Sequence, residues 1–151
     1  LKGKIMNEEL PKPPIPIGTY TTFYLSSSLI YTSGHIPITD TYIEEYIGKV
    51  GKEVTIEKAY DASSLVCDLT IATILNNNVE ISSIAPINVI GYINAIETFE
   101  NHADVLNGFT DKLVKYFPDE SLPTRTAVGV SSLPKNVCVE IQSIFKLKKD
   151  I

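Results

Sequence analysis

The chain has 151 residues (16.6 kDa), of which 44% are hydrophobic and 21% charged, and this composition predicts one globular domain that buries roughly 70% of its unfolded surface. The formal net charge of −5 disfavours nucleic acid and anionic lipid as partners, because phosphate groups are bound through Lys and Arg. No apolar run has the length of a membrane span, and the two cysteines lack metal-ligand spacing. We therefore expect no metal site at these cysteines and a reducing compartment, the cytoplasm, with the mitochondrion as the alternative.

The first part of the chain predicts an extended arm and a hairpin. We assign residues 1–9 to an N-terminal extension and residues 10–151 to a single domain. The arm, residues 10–17, holds four prolines, which fix φ and keep the preceding residues out of the helical region. Two runs of β-forming residues follow at 20–25 and 29–36, and the serines between them predict a hairpin turn.

The middle of the chain predicts a helix, a strand and a second helix. Apolar residues recur at helical spacing from the predicted N-cap, Thr55, to Leu75. Residues 84–96 form a continuous apolar run typical of a strand. A second helix is predicted over residues 101–117, and Pro118 ends it.

The last two predicted strands, within residues 122–142, include the only arginine. The other twelve of the thirteen cationic side chains are Lys, and only the planar fork of Arg125 can bind a carboxylate bidentately. In the second strand, alternation places Glu140 beside Cys138 and opposite the apolar residues. These residues alone leave two interpretations at equal weight, an Arg125–Glu140 ion pair that fixes the strand register and a ligand site.

The element order is strand, strand, helix, strand, helix, strand, strand. This order is typical of a ferredoxin-like split βαβ sheet, an α+β fold with both helices on one face. The other face also carries apolar side chains, such as Ile90 and Tyr92. Because the helices would leave that face bare, we expect it to be buried against another copy of the chain.

Five short motifs follow one another between residues 18 and 141. They are GTY at 18–20, YTSGHIP at 31–37, VLNGF at 105–109, PTRTAV at 123–128 and LPKNVCVEI at 133–141. In this order and spacing they resemble the RidA (YjgF-type) family of enamine and imine deaminases, formerly labelled endoribonuclease L-PSP. The resemblance extends from Leu10 to about Phe145 and implies a homotrimer of chorismate-mutase-like subunits, with ligand clefts between neighbouring chains.

The resemblance also implies an activity, the hydrolysis of reactive 2-imino or 2-enamino acids to 2-oxo acids and ammonia without a cofactor. Arg125 matches the arginine that holds the substrate carboxylate, and Glu140 matches the glutamate that positions the attacking water. Tyr20 matches a tyrosine near the substrate. The other positions matched to substrate binding are Ser33, Gly34 and Asn107.

The chain differs from many family members at two positions. Ala127 stands where many have cysteine, and His35 where many have glutamine. We expect imine hydrolysis to need no thiol, and we expect His35 to alter the polarity of the cleft. Two other functions stay open: a non-catalytic module that binds small carboxylates or regulates through the same cleft and, disfavoured by the acidic charge, an endoribonuclease.

Overall fold

A computed structural model describes residues 9–149, so residues 1–8 of the predicted extension and the last two residues lie outside the described part of the chain. The predicted order of strands and helices is confirmed. The elements are β1 (Phe23–Ser26), β2 (Leu29–Thr32), α1 (Ile56–Asn76), β3 (Ile84–Asn94), α2 (His102–Tyr116), β4 (Thr124–Val130) and β5 (Val139–Leu147), with short 3-10 turns at Glu44–Tyr46, Ile81–Ser83 and Pro134–Asn136.

The five strands form one mixed sheet in the order β1-β2-β5-β3-β4. All neighbouring pairs are antiparallel except β3 and β4, which are parallel. The last two strands are therefore separated by β3, and β4 forms an edge of the sheet. With both helices packed on the sheet, this is the predicted α+β fold.

The predicted hairpin is confirmed, but its strands are shorter than expected. The turn between them contains Ser27, whose φ is 55°. Residues 33–36 lie beyond β2, although His35 still forms an isolated antiparallel bridge with Ile141 of β5. This short segment after β2 therefore runs beside the start of β5.

Helix α1 begins as the sequence predicts, because the Oγ1 of Thr55 accepts a hydrogen bond from the backbone N–H of Lys58 at 3.2 Å. Eleven of its residues are buried, so it is the central helix of the core. Helix α2 packs closely against it at Gly108, where an added Cβ would collide with the carbonyl group of Tyr60. Glycine at this position permits the close approach of the two helices.

The two faces of the sheet differ in how well they are covered. The face under the helices is filled by buried side chains such as Val89, Ile93, Ile141 and Phe145. The other face, which we call the open face, lacks a second layer within the described residues. Its apolar side chains are partly or largely exposed, as the sequence predicts: Tyr24, Tyr31, Ile90, Tyr92, Val128 and Ile144.

None of the helices in residues 9–149 is both long enough and apolar enough to cross a bilayer.

Candidate functional site

A cleft of about 290 Å³ lies where the segment after β2 passes β5. Four of the predicted site residues meet in it, Tyr20, Ser33, Gly34 and Glu140. The remaining lining residues were not among the predicted site residues, although two of them lie inside the motifs that carry the resemblance. These remaining residues are Ile17, Ile36 and Pro134.

Glu140 provides the acidic group of the cleft. It lies on β5 directly opposite Tyr92 of β3, so its side chain is on the open face. The residue is half-buried, and burial raises the pKa of its carboxyl above the ordinary value of 4.5. Within residues 9–149 it forms no ion pair. The carboxylate is therefore a stronger base than an exposed glutamate and is available to a ligand.

Gly34 makes room for this carboxylate. An added Cβ at position 34 would collide with Oε1 of Glu140 and would also crowd its Cγ and Cδ. The backbone beside it is fixed, because His35 and Ile141 exchange two hydrogen bonds, of 2.9 and 3.0 Å. The position of the Glu140 carboxylate therefore depends on the absence of a side chain at Gly34.

Ser33 contributes a hydroxyl group that is not yet paired. Its Oγ is buried and has no hydrogen-bond partner within the described residues. A buried polar group without a partner costs about 1–3 kcal/mol, so native proteins usually satisfy it with water or with a ligand. A ligand or a water molecule that reaches this atom in the cleft wall would satisfy it.

The ring of His35 does not line the cleft, so the expectation that it alters the polarity of the cleft is wrong. The residue is 2% exposed, and its ring nitrogens lie 2.8 Å from the Ser33 carbonyl oxygen and 2.8 Å from Oγ1 of Thr73 on α1. Burial lowers the pKa of the imidazole, so the ring is neutral near pH 7. It forms part of the interior between the cleft wall and α1.

Arg125 lies on the opposite face of the sheet from Glu140. It pairs with Val89, whose side chain is fully buried under the helices, and residues that pair directly share a face. The guanidinium Nη1 donates a 3.0 Å hydrogen bond to Oγ1 of Thr110 on α2, and the residue is otherwise exposed. An Arg125–Glu140 ion pair that fixes the register is therefore wrong, because β3 separates the two strands and the side chains point to different faces.

Asn107 also lies apart from the cleft. It lines a separate groove of about 460 Å³ between the two helices, and carboxylate groups dominate the rest of that groove. Negative charges there would repel an acidic substrate. Within one chain the structure therefore does not bring this residue together with the other predicted binding groups.

Tyr20 and Cys138 are the two remaining residues of interest near the cleft. Tyr20 is half exposed at the mouth of the cleft. Cys138 belongs to the buried core, and burial raises the pKa of its thiol to about 12, so it is not a thiolate at neutral pH. Within residues 9–149, no group of three or more His, Cys, Asp or Glu side chains is arranged to hold a metal ion.

Comparisons with known proteins agree with the motifs. The family model described as Endoribonuclease L-PSP matches residues 11–146. A RutC family protein of Saccharolobus solfataricus is 30% identical over 144 residues, covering 95% of this chain and 97% of the relative. A 2-iminobutanoate/2-iminopropanoate deaminase of Dermatophagoides farinae is 28% identical over 138 residues, covering 91% and 93%.

The fold agrees as well. The crystal structure of a Shewanella oneidensis protein matches with a TM-score of 0.86 at 24% identity over 92% of each chain. The sheet order, the five motifs and the family model over residues 11–146 lead to one conclusion: the chain belongs to the endoribonuclease L-PSP family, the RidA (YjgF-type) family that its motifs resemble.

Proposed function

We propose that the protein hydrolyses 2-imino or 2-enamino acids to 2-oxo acids and ammonia, in clefts that a second copy of the chain completes. One observation carries the proposal. The predicted base, Glu140, lines the cleft on the open face, whereas the predicted carboxylate anchor, Arg125, is exposed at the β4 edge on the helix face. A single chain therefore cannot apply both groups to one small ligand, and two chains can.

Two exposed surfaces of the chain support such an assembly. The open face exposes apolar side chains such as Tyr24 and Tyr31, at 62% and 38% exposure, and contiguous apolar surface of this kind is typical of an interface. A contact between the cleft of one chain and the β4 edge of the next joins two different surfaces. Contacts of this heterologous type close into a ring where the rotation between neighbours divides a full turn, and a homotrimer closed in this way would contain equivalent clefts, each with Arg125 of the partner subunit.

Imine hydrolysis requires few catalytic groups in such a site. The guanidinium fork binds the substrate carboxylate bidentately and thereby orients the imine carbon. Glu140 accepts a proton from a water molecule as the water oxygen bonds to that carbon, and the proton passes to the nitrogen. The hydroxyl proton of the resulting carbinolamine then passes to the nitrogen as well, the carbon–nitrogen bond breaks, ammonia leaves, and the carbon–oxygen double bond of the 2-oxo acid forms.

Two features favour this reaction at Glu140. Its raised pKa brings the carboxylate closer to the working pH, which suits a general base. The unpaired hydroxyl of Ser33 lies in the same cleft and can hydrogen-bond the water or the substrate. Orientation of the reactants contributes up to about 7–11 kcal/mol in favourable systems, so a site with few groups is sufficient.

The test uses an imino acid generated in situ by an amino-acid oxidase, with ammonia release as the readout. Arg125→Ala and Glu140→Gln should each reduce the rate enhancement by at least about 10²-fold, because each removes a group that acts on the reacting substrate. Lys115→Ala is the matched control, since it removes an exposed cation from α2, outside the cleft.

Two other results would overturn the proposal. Full activity in Arg125→Ala would remove the anchor from the mechanism. Saturable binding of a 2-oxo acid to the wild-type protein, without any acceleration of ammonia release, would identify the protein as a non-catalytic carboxylate-binding module instead.

A further inference from the structure

We propose that His35 is a positioning residue, whose buried ring ties the Ser33–Gly34 wall of the cleft to helix α1 and so fixes the place of the Glu140 carboxylate. The inference rests on the proposed function, because it assigns a role to His35 in the same site. His35 does not touch the cleft, so any effect on the reaction passes through its neighbours.

The hydrogen bonds of the ring define its tautomer. The carbonyl oxygen of Ser33 can only accept, so Nδ1 of His35 carries the proton and donates to it at 2.8 Å. In the neutral ring Nε2 is then an acceptor, and the hydroxyl of Thr73 donates to it at 2.8 Å. Both ring nitrogens are thus used, each with a partner that suits its role.

Thr73 uses its hydroxyl differently from the other buried hydroxyl residues of α1. Ser63 and Thr70 donate to carbonyl groups one turn earlier in the helix, those of Ala59 and Val66, at 2.9 Å each. Thr73 instead directs its hydroxyl across to His35. A hydroxyl that bonded within its own helix would satisfy α1 equally well, so this contact serves the segment after β2.

That segment is the wall against which Glu140 packs. His35 is bonded through its backbone to Ile141, the residue after Glu140, and Gly34 leaves the space that the carboxylate occupies. The ring hydrogen-bonds the carbonyl oxygen of Ser33, which belongs to the same segment. Loss of the ring contacts would leave this wall held only by backbone bonds, those between His35 and Ile141 and that from the Ser33 N–H to the Thr22 carbonyl. We expect Ser33 and Gly34 then to shift, so that the carboxylate loses its fixed neighbour.

A purely structural histidine would behave differently. Its loss would lower the free energy of unfolding, but the molecules that remained folded would keep their turnover number. A positioning residue affects kcat in folded molecules, because displacement of a catalytic group by about 1 Å can cost about 10²-fold in rate. The two roles are therefore separable by measuring kcat, KM and unfolding together.

The experiment compares two pairs of variants in the full chain. His35→Leu and Thr73→Val remove the hydrogen bonds, whereas His35→Gln and Thr73→Ser retain a donor and acceptor or a hydroxyl. We expect the first of each pair to lower kcat by about 10- to 10²-fold with a smaller change in KM. The second of each pair should stay close to the wild type.

A second readout does not depend on turnover. The titration of the Glu140 carboxyl, followed by carbon-13 NMR, should move back toward the ordinary value of 4.5 in His35→Leu and Thr73→Val, because a displaced wall admits water. Thr73→Val leaves the ring in place, so it serves where His35→Leu does not fold.

Two outcomes would overturn the inference: folded variants with wild-type kcat and an unchanged Glu140 titration, or a His35→Gln variant that loses as much as His35→Leu. If the wild-type protein shows no rate enhancement, the proposed function fails, and the Glu140 titration alone then decides the inference. An unchanged titration refutes the role of His35, and a shifted one supports it.

Discussion

The two faces of the sheet differ in how their polar groups find hydrogen-bond partners. Under the helices, polar groups find partners within the chain: the hydroxyl of Thr32 bonds to Ser143, across 111 residues of sequence. On the open face and in its cleft, the described part of the chain offers no hydrogen-bond partner to the Ser33 hydroxyl and no ion pair to the Glu140 carboxylate. The covered face supplies most of the stability, and the open face supplies the carboxylate and hydroxyl groups of the cleft.

The largest expected effect tests whether the second molecule is another copy of the chain. When the Arg125→Ala and Glu140→Gln proteins are mixed after dissociation and reassembled, some clefts combine the intact Glu140 of one chain with the intact Arg125 of the partner subunit. Random assembly into rings should restore about a quarter of the wild-type activity, although neither protein is active alone. Ammonia release from the reassembled mixture measures this recovery.

Recovery that stays at the level of the two separate variants would place both groups within one chain and would contradict the division between the faces. Mixing each variant with itself by the same procedure provides the control for losses during reassembly.

Two glycine substitutions compare the faces directly, and the one in the cleft should affect activity most. In Gly34→Ala the new methyl group meets the flexible carboxyl of Glu140, which can move aside. We expect kcat/KM to fall by about 10- to 10²-fold, with a smaller loss of stability. Kinetics together with urea unfolding of the same preparation check this; unchanged kcat/KM would show that the carboxylate need not occupy that space.

In Gly108→Ala the methyl group meets the Tyr60 carbonyl on the backbone of α1, which cannot move aside alone. We expect a loss of about 1–3 kcal/mol in the free energy of unfolding, with normal kcat in the folded fraction. Gly18→Ala is the matched control for stability, because its Cβ would meet only ordinary contacts at 3.5 Å. A stable Gly108→Ala protein would contradict the close packing of the helices.

The pH dependence of the reaction should report the environment of Glu140. Because burial raises its pKa above 4.5, the active carboxylate should form at a higher pH than an exposed glutamate does. We expect kcat/KM to rise with pH through an apparent pKa above 4.5, and the same limb to disappear from the residual activity of Glu140→Gln. A limb centred at or below 4.5 would mean that the carboxyl is fully solvated in the working protein.

The smallest expected effect is on stability, and it concerns His35, which is buried between the cleft wall and α1. Burial lowers the pKa of His35 below its ordinary value of 6.5, so the unfolded chain binds this proton more readily. Above pH 6.5, protonation of His35 should therefore make no contribution to the pH dependence of the free energy of unfolding. As the pH decreases from 6.5 through the lowered pKa of the folded state, this free energy should fall by at most about 1.4 kcal/mol per pH unit. Urea unfolding of the wild type against His35→Gln isolates this slope, and equal slopes would contradict it.

The sequence was sufficient for features that depend on neighbouring residues. Helix α1 and its cap at Thr55 were predictable because helical spacing and capping are local. The motifs also named Tyr20, Ser33, Gly34 and Glu140, which the structure places around one cleft. The face of Arg125 was not predictable from its strand alone. It depends on β4 pairing with β3 rather than β5, and on the register of that pairing.

The side to which the ring of His35 points was also not predictable from its own segment. Its position beside Ser33 and Gly34 in sequence suggested a place in the cleft, but successive side chains of an extended segment point to opposite sides. Only the partner on α1, Thr73, shows which side the ring takes, and no pattern within either segment connects those two residues.

The placement of Arg125 on an exposed edge has a consequence for how the protein would work in dilute solution. If the cleft borrows its anchor from a neighbour, an isolated subunit is inert however well it folds. Specific activity would then decline once the protein concentration drops below the dissociation constant of the assembly, and the abundance of the protein would itself regulate the reaction.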